Sequence, residues 1–288
     1  MSTNNSDQVK TIREKTAFVL RFDKRPLVMG ILNVTPDSFS DGGKFYNPEK
    51  AAAHAFLMAE QGADIIDIGG ESSRPGAAGI GANEEIDRVM PVLEMLKGKL
   101  NVPISIDTRR SEVARKACQA GATIINDISG LVNDQTIADV AGDTGSYLIL
   151  MHMKGTSATM QINIHYDNLI NDISDFLSKA ASKAIARGVS RDRIIIDPGI
   201  GFGKTVDHNF SLLKHIPEFA KLGFPVLIGP SRKSFIGKTL DVDINERLEG
   251  SLAAAVYAIS NGASIVRVHD VLQTVRAVTI IRKIIEAD

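Results

Sequence analysis

The sequence predicts an α/β protein folded as a single closed (β/α)₈ barrel, the TIM barrel, and three observations predict it. A short apolar stretch recurs eight times, and a plausible helix follows each one. Six of those stretches begin within a few residues of a glycine that stops the preceding helix, at Gly62, Gly121, Gly145, Gly188, Gly223 and Gly262. Each stretch then finishes in polar residues. Regular alternation of strand and helix needs parallel strands with right-handed crossovers. Eight such units suit closure better than the alternative, an open doubly wound sheet. A chain of 288 residues without a linker or composition break is long enough for one barrel.

Taken in order, residues 1–15 are polar and read as a flexible tail, leaving 16–288 for the barrel domain. Residues 16–26 alternate weakly through Phe18, Leu20 and Phe22, as a short N-terminal hairpin or plug would. The first strand is 27–34, L-V-M-G-I-L-N-V, with Asn33 near its end. Asn47-Pro48-Glu49 then starts a helix with an Asn cap and proline in the first turn, and that helix runs to Gln61. The later strands lie in A-D-I-I-D-I-G-G, P-I-S-I-D-T, A-T-I-I-N-D-I, S-Y-L-I-L-M-H-M, R-I-I-I-D-P-G, F-P-V-L-I-G-P and A-S-I-V-R-V-H-D. The isoleucine triplet 194–196 has no face to spare for water, so it predicts a strand buried on both sides. It ends in Asp197 and Pro198, followed by three closely spaced glycines and Lys204.

Composition excludes several classes. A net charge of −1 offers no general attraction to nucleic acid or a membrane surface. No apolar run approaches the roughly 20 residues of a membrane span, and residues 1–10 lack the apolar core of a signal peptide, so a cytoplasmic protein is expected. The single cysteine, Cys118, permits no internal disulfide and reads as a helix-packing residue. G-I-G-F-G-K misses the spacing of a phosphate-binding P-loop. His152 and His165 lack partners at zinc-like spacing. The pair Arg109-Arg110, without interleaved aromatics, is expected to be a solvated loop.

In a barrel of this type the C-terminal strand ends build the active site. The polar or flexible residues there are Asn33, Asp67, Asp107, Asn126, Met151, Asp197, Lys233, Arg267 and His269. A lone Asp or Asn after a strand is more often a helix cap or turn former than a ligand, but so many polar groups on one rim need partners. Together, Asp107, Asn126, Asp197 and Lys233 supply the donors and acceptors that read a flat heterocycle. Asn33, Ser73, Arg74, Arg267 and His269 suit a polyphosphate and its metal. The loops 35–46 and 71–83 are rich in Gly, Ser and Pro, look mobile from composition, and carry hydroxyls and charges.

These motifs resemble those of the dihydropteroate synthase family. The resemblance is carried by M-G-I-L-N-V-T-P-D-S-F-S-D-G-G, I-D-I-G-G-E-S-S-R-P-G-A, S-I-D-T, I-N-D-I, L-M-H-M, D-P-G-I-G-F-G-K, S-R-K-S-F-I-G and R-V-H-D, and covers nearly everything from Leu27 onward. It implies an enzyme, usually a homodimer, that joins 4-aminobenzoate to a dihydropterin methyl pyrophosphate with Mg²⁺ and releases pyrophosphate. On this resemblance Asp107, Asn126, Asp197 and Lys233 hold the pterin, with Met151 packed beside it. Arg267 lies along the pterin face and, with Asn33, Ser73, Arg74 and His269, surrounds pyrophosphate and Mg²⁺, Asn33 being the metal ligand. Phe39, Pro75, Phe202, Lys233 and Ser234 form the aminobenzoate pocket. Asp41, Lys233, Arg267 and His269 are the expected catalytic set. Ser73 stands where threonine is common, which keeps the hydroxyl and removes one methyl. Two other readings compete: a pterin-dependent methyltransferase barrel, which has no use for two phosphate-handling loops, and a silent pterin binder, which would lack some of the rim residues.

Overall fold

In the computed structural model of the chain, the residues described are 19–22, 25–35, 47–72, 76–77 and 79–287. The expected tail, 1–15, residues 36–46 of the first glycine-rich loop, and residues 73–75 and 78 of the second lie outside them.

Period-two alternation in eight strands organises the molecule. The strands are β1 (Leu27–Asn33), β2 (Ile65–Gly69), β3 (Ile104–Asp107), β4 (Ile124–Asp127), β5 (Tyr147–Met151), β6 (Ile194–Asp197), β7 (Leu227–Ile228) and β8 (Ile265–Val268). All ladders are parallel, in the order β6-β5-β4-β3-β2-β1-β8-β7, and a bridge from Ile196 to Val226 joins the two ends into a ring. The Ile196 N–H also donates to the Pro225 carbonyl at 3.0 Å across that seam. β7 is the shortest strand because Gly229 and Pro230 follow it at once, and proline offers no N–H to a ladder.

Alternate residues go to two different places. Leu27, Met29, Ile65, Ile124, Ile149, Ile195, Leu227 and Ile265 point inward and pack on each other at the base of the ring. Val28, Ile66, Ile106, Ile125, Leu148, Ile194, Ile196 and Val266 point outward into the layer of helices. The isoleucine triplet is therefore buried on both sides, Ile195 inside and its neighbours outside, at about 1.5–3 kcal/mol of transfer free energy each. Above the apolar base the inward positions turn polar: Asp67 follows Ile65, Asn126 follows Ile124, Asp197 follows Ile195 and Arg267 follows Ile265. The strand register aligns Gly69 with Asp107 and Asp107 with Asn126, so these groups share one rim.

The helices among the described residues are α1 (Pro48–Glu60), α2 (Ala82–Leu96), α3 (Ser111–Ala120), α4 (Ile137–Thr144), α5 (Leu169–Ala186), α6 (Val206–Lys214), α7 (Ile216–Ala220), α8 (Ser234–Leu240), α9 (Leu248–Ser260) and α10 (Val271–Ile285). Helix α1 begins as its sequence predicts: the Asn47 side chain accepts from the Lys50 N–H at 2.8 Å, with Pro48 at the first position. All six predicted stop glycines have positive φ, between 67° and 114°.

At the base of the ring, Leu20 is buried and its N–H donates to the Tyr147 hydroxyl at 3.0 Å, while Phe22 packs on the same inner cluster. Residues 19–22 thus form a plug, and no strand occurs among the described residues before Leu27. Cys118 packs against the helix layer with its Sγ 3.5 Å from the Ser146 hydroxyl.

One expectation is corrected. Arg109 and Arg110 are not a solvated loop: both are largely buried and paired with Glu71, at 2.8 Å each. Arg110 also reaches Glu85, which is fully buried on α2, at 2.5 Å. Two carboxylates beside the turn after β3 draw both guanidiniums in from solvent.

Candidate active site

Arg267 organises the rim. It projects inward from β8, and its Nε donates to Asp67 at 2.6 Å while a terminal nitrogen donates to Asp107 at 2.8 Å. Burial works against its charge, yet Asp67 and Asp107 hold its pKa above the usual guanidinium value. Asp67 also accepts from the Asn126 amide at 3.1 Å. It is fully buried, and its other oxygen has no partner among the described residues. Its place is beneath the rim, orienting two residues that face the mouth.

Asp107 ends β3 and Asp197 ends β6, three strands apart around the ring. Burial pushes Asp107 up to about 7, with Arg267 pulling the other way and Asp67 adding to the rise. Burial likewise raises Asp197 to about 6, against the Gly199 N–H, which donates to it at 2.7 Å, and the cations Lys204, Lys233 and Arg267. Each carboxyl thus sits in a largely desolvated setting where the donors it already has only partly offset the cost of its charge.

Lys233 follows β7 on the turn that caps α8, rather than at the strand end itself. Its ammonium lies 3.9 Å from the centre of the Phe202 ring. Burial and the nearby Arg267 bring its pKa down to about 8. Met151, at the end of β5, packs with Met160 and Phe202, a flat apolar wall beside the polar ring. Ser234 is exposed at the start of α8.

His269 closes the mouth beyond β8, with its Nδ1 3.1 Å from the Ser231 hydroxyl. Burial first, then Arg267 and Arg232, lower its pKa to about 3, so it is neutral and joins the rim as a hydrogen-bonding group rather than a cation. Together with Asn33, Phe202, Lys233, Ser234 and Arg267 it lines a cavity of about 410 Å³ over the barrel mouth.

Of the residues that sequence reasoning selected, Asn33, Asp107, Asn126, Met151, Asp197, Phe202, Lys233, Ser234, Arg267 and His269 come to this one end of the barrel. Phe39, Asp41, Ser73, Arg74 and Pro75 lie outside the described residues. No group of three His, Cys, Asp or Glu side chains among the described residues is placed to hold a metal ion. A metal in this mouth would take most of its ligands from elsewhere.

Two members of the site escaped the sequence. Arg247, just before α9, also lines the cavity and donates to the Arg232 carbonyl at 3.0 Å. Lys204 is buried behind Asp197. No short motif marks Arg247, whose place depends on the turn after β7. Lys204 was visible only as the residue closing a glycine-rich loop.

Comparison with known proteins places this geometry. The model of the family described as pterin binding enzyme matches residues 29–269. The chain is 51% identical to the dihydropteroate synthase of Synechocystis sp. over 249 residues, 86% of each chain. The structure of Yersinia pestis dihydropteroate synthase with a sulfonamide drug superposes with a TM-score of 0.89 at 44% identity, covering 94% of this chain and 98% of that one. Xanthomonas albilineans dihydropteroate synthase with 4-aminobenzoic acid gives 0.87 at 43% identity, covering 93% and 96%.

Proposed function

The chain belongs to the pterin-binding enzyme family, and from that premise we infer that its barrel mouth is the active site of a dihydropteroate synthase. It is a transferase that condenses 6-hydroxymethyl-7,8-dihydropterin pyrophosphate with 4-aminobenzoate, giving 7,8-dihydropteroate and pyrophosphate in folate biosynthesis. One observation carries the reading at this site: two desolvated carboxyls, an amide, an ammonium and a guanidinium form a polar ring beside an apolar wall. That is the surface a flat, nitrogen-rich heterocycle requires.

The residues divide the work. Asp197, Asp107 and Asn126 accept from and donate to the pterin edge, and Met151 packs against the ring. Lys233, held over Phe202, reaches one pterin acceptor and forms part of the aminobenzoate wall. Arg267, steadied by Asp67 and Asp107, lies between the pterin and the departing pyrophosphate. Asn33, Ser73, Arg74 and His269 complete the phosphate side, with Asp41 entering from the loop 35–46. Phe39, Pro75, Phe202 and Ser234 enclose the aminobenzoate.

In the reaction the aniline nitrogen forms a bond to the pterin methylene carbon as the carbon–oxygen bond breaks. The bonding pair leaves with pyrophosphate, and the amine then loses one proton. Positive charge that develops at the methylene spreads into the pterin ring. The protein therefore orients two reactants and stabilises a leaving anion, and no strong general base is needed. Mg²⁺ would be held on the protein side by the neutral amide oxygen of Asn33, and would supply charge neutralisation to the departing pyrophosphate.

The enzyme works as a homodimer in the cytoplasm on this reading. Exposed Phe210, Leu240 and Tyr257 line one apolar face formed by α6, α8 and α9, suited to a second copy. No helix of the described residues is long and apolar enough to cross a membrane.

The test is to supply dihydropterin pyrophosphate, 4-aminobenzoate and Mg²⁺ and to follow pyrophosphate release. Release that depends on aminobenzoate is the expected result. Pterin binding without release would make the chain a silent binder.

A further inference from the structure

Behind Asp197 lies a buried cation that the reaction as described does not use. Lys204 is 3% exposed, and its ammonium donates to the Pro198 carbonyl at 2.8 Å, the His152 Nδ1 at 2.9 Å and the His152 carbonyl at 3.0 Å. Three acceptors match the three N–H groups of a charged lysine. Burial draws its pKa down while Asp197 opposes the loss of its proton. His152, held at about 2 by burial and by Lys204, is neutral and offers its Nδ1 as a lone pair.

These contacts join the turns after β5 and β6. The same two turns are tied again where the His152 N–H donates to the Asp197 carbonyl at 2.9 Å. Between them sits Gly199, whose N–H holds the Asp197 carboxylate at 2.7 Å. We infer that Lys204 is a positioning residue for the pterin: it pins these two turns together and keeps the Asp197 carboxylate in place and ionised. The inference rests on the dihydropteroate synthase reading, since it assigns Asp197 to the pterin.

A purely structural pin would hold the turns equally well without affecting charge at Asp197. The groups facing Asp197 separate the two roles. Lys204, Lys233 and Arg267 approach it from β6, β7 and β8 and favour its anion. Asp107, across the ring on β3, engages Arg267 and Lys233 rather than Asp197. Neutral His152 adds no charge from β5. Removing Lys204 takes away the cation behind the carboxylate and leaves the two in front, so protonation of Asp197 moves to higher pH.

The experiment is calorimetric titration of the full chain with 6-hydroxymethyl-7,8-dihydropterin between pH 5 and 9. The parent is compared with Lys204→Met, Lys204→Gln and Lys204→Arg. For both neutral variants the acid limb of the affinity is expected to move up by about one pH unit, so that affinity falls about tenfold near pH 5 and about twofold at pH 7, with the loss recovered by pH 9. Lys204→Arg keeps the limb where the parent has it. The KM for 4-aminobenzoate stays within about twofold, because that pocket lies beyond Lys233. An acid limb that does not move in either neutral variant overturns the inference, as does failure of both to fold by circular dichroism. A parent that binds no dihydropterin would instead refute the functional reading on which it rests.

Discussion

Asp67 and Arg267 stand 200 residues apart in the chain and meet at 2.6 Å inside the barrel. Asp67 has no exposure to solvent, and the same oxygen that binds Arg267 accepts from Asn126. Two rim residues thus take their aim from one carboxylate below them.

Asp67→Asn leaves the shape and removes the charge beneath Arg267. Breaking a buried pair by neutralising one partner costs about 3–5 kcal/mol. Urea unfolding should show a loss of that size, and kcat/KM for the dihydropterin pyrophosphate should fall by at least as much as in an Asn126→Ala variant assayed alongside. Unchanged stability and turnover would mean that Asp67 orients neither residue.

Asp197 carries a stability cost that reveals its function. Its folded pKa of about 6 lies above the ordinary carboxylate value of 3.8, so the folded protein holds its proton more tightly than the unfolded chain does. The penalty is absent below about pH 4, grows as pH rises through 6, and is complete above it. Asp197→Asn should therefore stabilise the free protein by about 1–3 kcal/mol at pH 8 and by nothing near pH 4. The same substitution presents a donor to donors and should weaken dihydropterin binding sharply. Thermal melts across pH, paired with calorimetry, check both halves.

Gly199 and Gly188 both have positive φ, at 76° and 95°, but only one is crowded. A Cβ at Gly199 would lie 2.0 Å from the His152 carbonyl oxygen, whereas at Gly188 it would meet nothing within 4 Å. Gly188→Ala should cost about 1 kcal/mol, from the backbone conformation alone. Gly199→Ala must displace the turn behind Asp197 and should abolish dihydropterin binding even where the fold survives. Equal effects of the two substitutions on binding would contradict the close approach.

Sulfonamides present an aniline and an acidic group like 4-aminobenzoate, and a related Yersinia pestis enzyme has been seen with a sulfonamide drug. Inhibition of this enzyme should be relieved by raising 4-aminobenzoate and should weaken when Ser234 or Phe202 is replaced by alanine. Inhibition indifferent to aminobenzoate would place the drug elsewhere.

The strands and their polar ends were legible because they depend on neighbours in sequence. Apolar alternation, helix-stopping glycines and the Asp197-Pro198 break are local signals, and they brought Asp107, Asn126, Asp197 and Arg267 to one rim. What was not legible depends on distance along the chain. Glu71 meets Arg110 from 39 residues away, and Lys204 meets His152 from 52. Isolated Arg109-Arg110 reads as surface, since nothing adjacent announces the two carboxylates that bury it. Lys233 lines the mouth, and its stacking over Phe202 follows from how two loops fold back on each other.

The ring is laced unevenly. Seven of its junctions are ladders of several residue pairs or more than one, while β6 and β7 meet through the Ile196–Val226 bridge. Asp197 stands just above that seam on one side, and the turn bearing Lys233 leaves from the other. Warmth should therefore spread the barrel first along this line, like a stave parting from its neighbour while the hoop still holds. The Asp197 carboxylate and Lys233 facing it would drift apart while the helices remain wound, so the enzyme should fall silent several degrees before it melts.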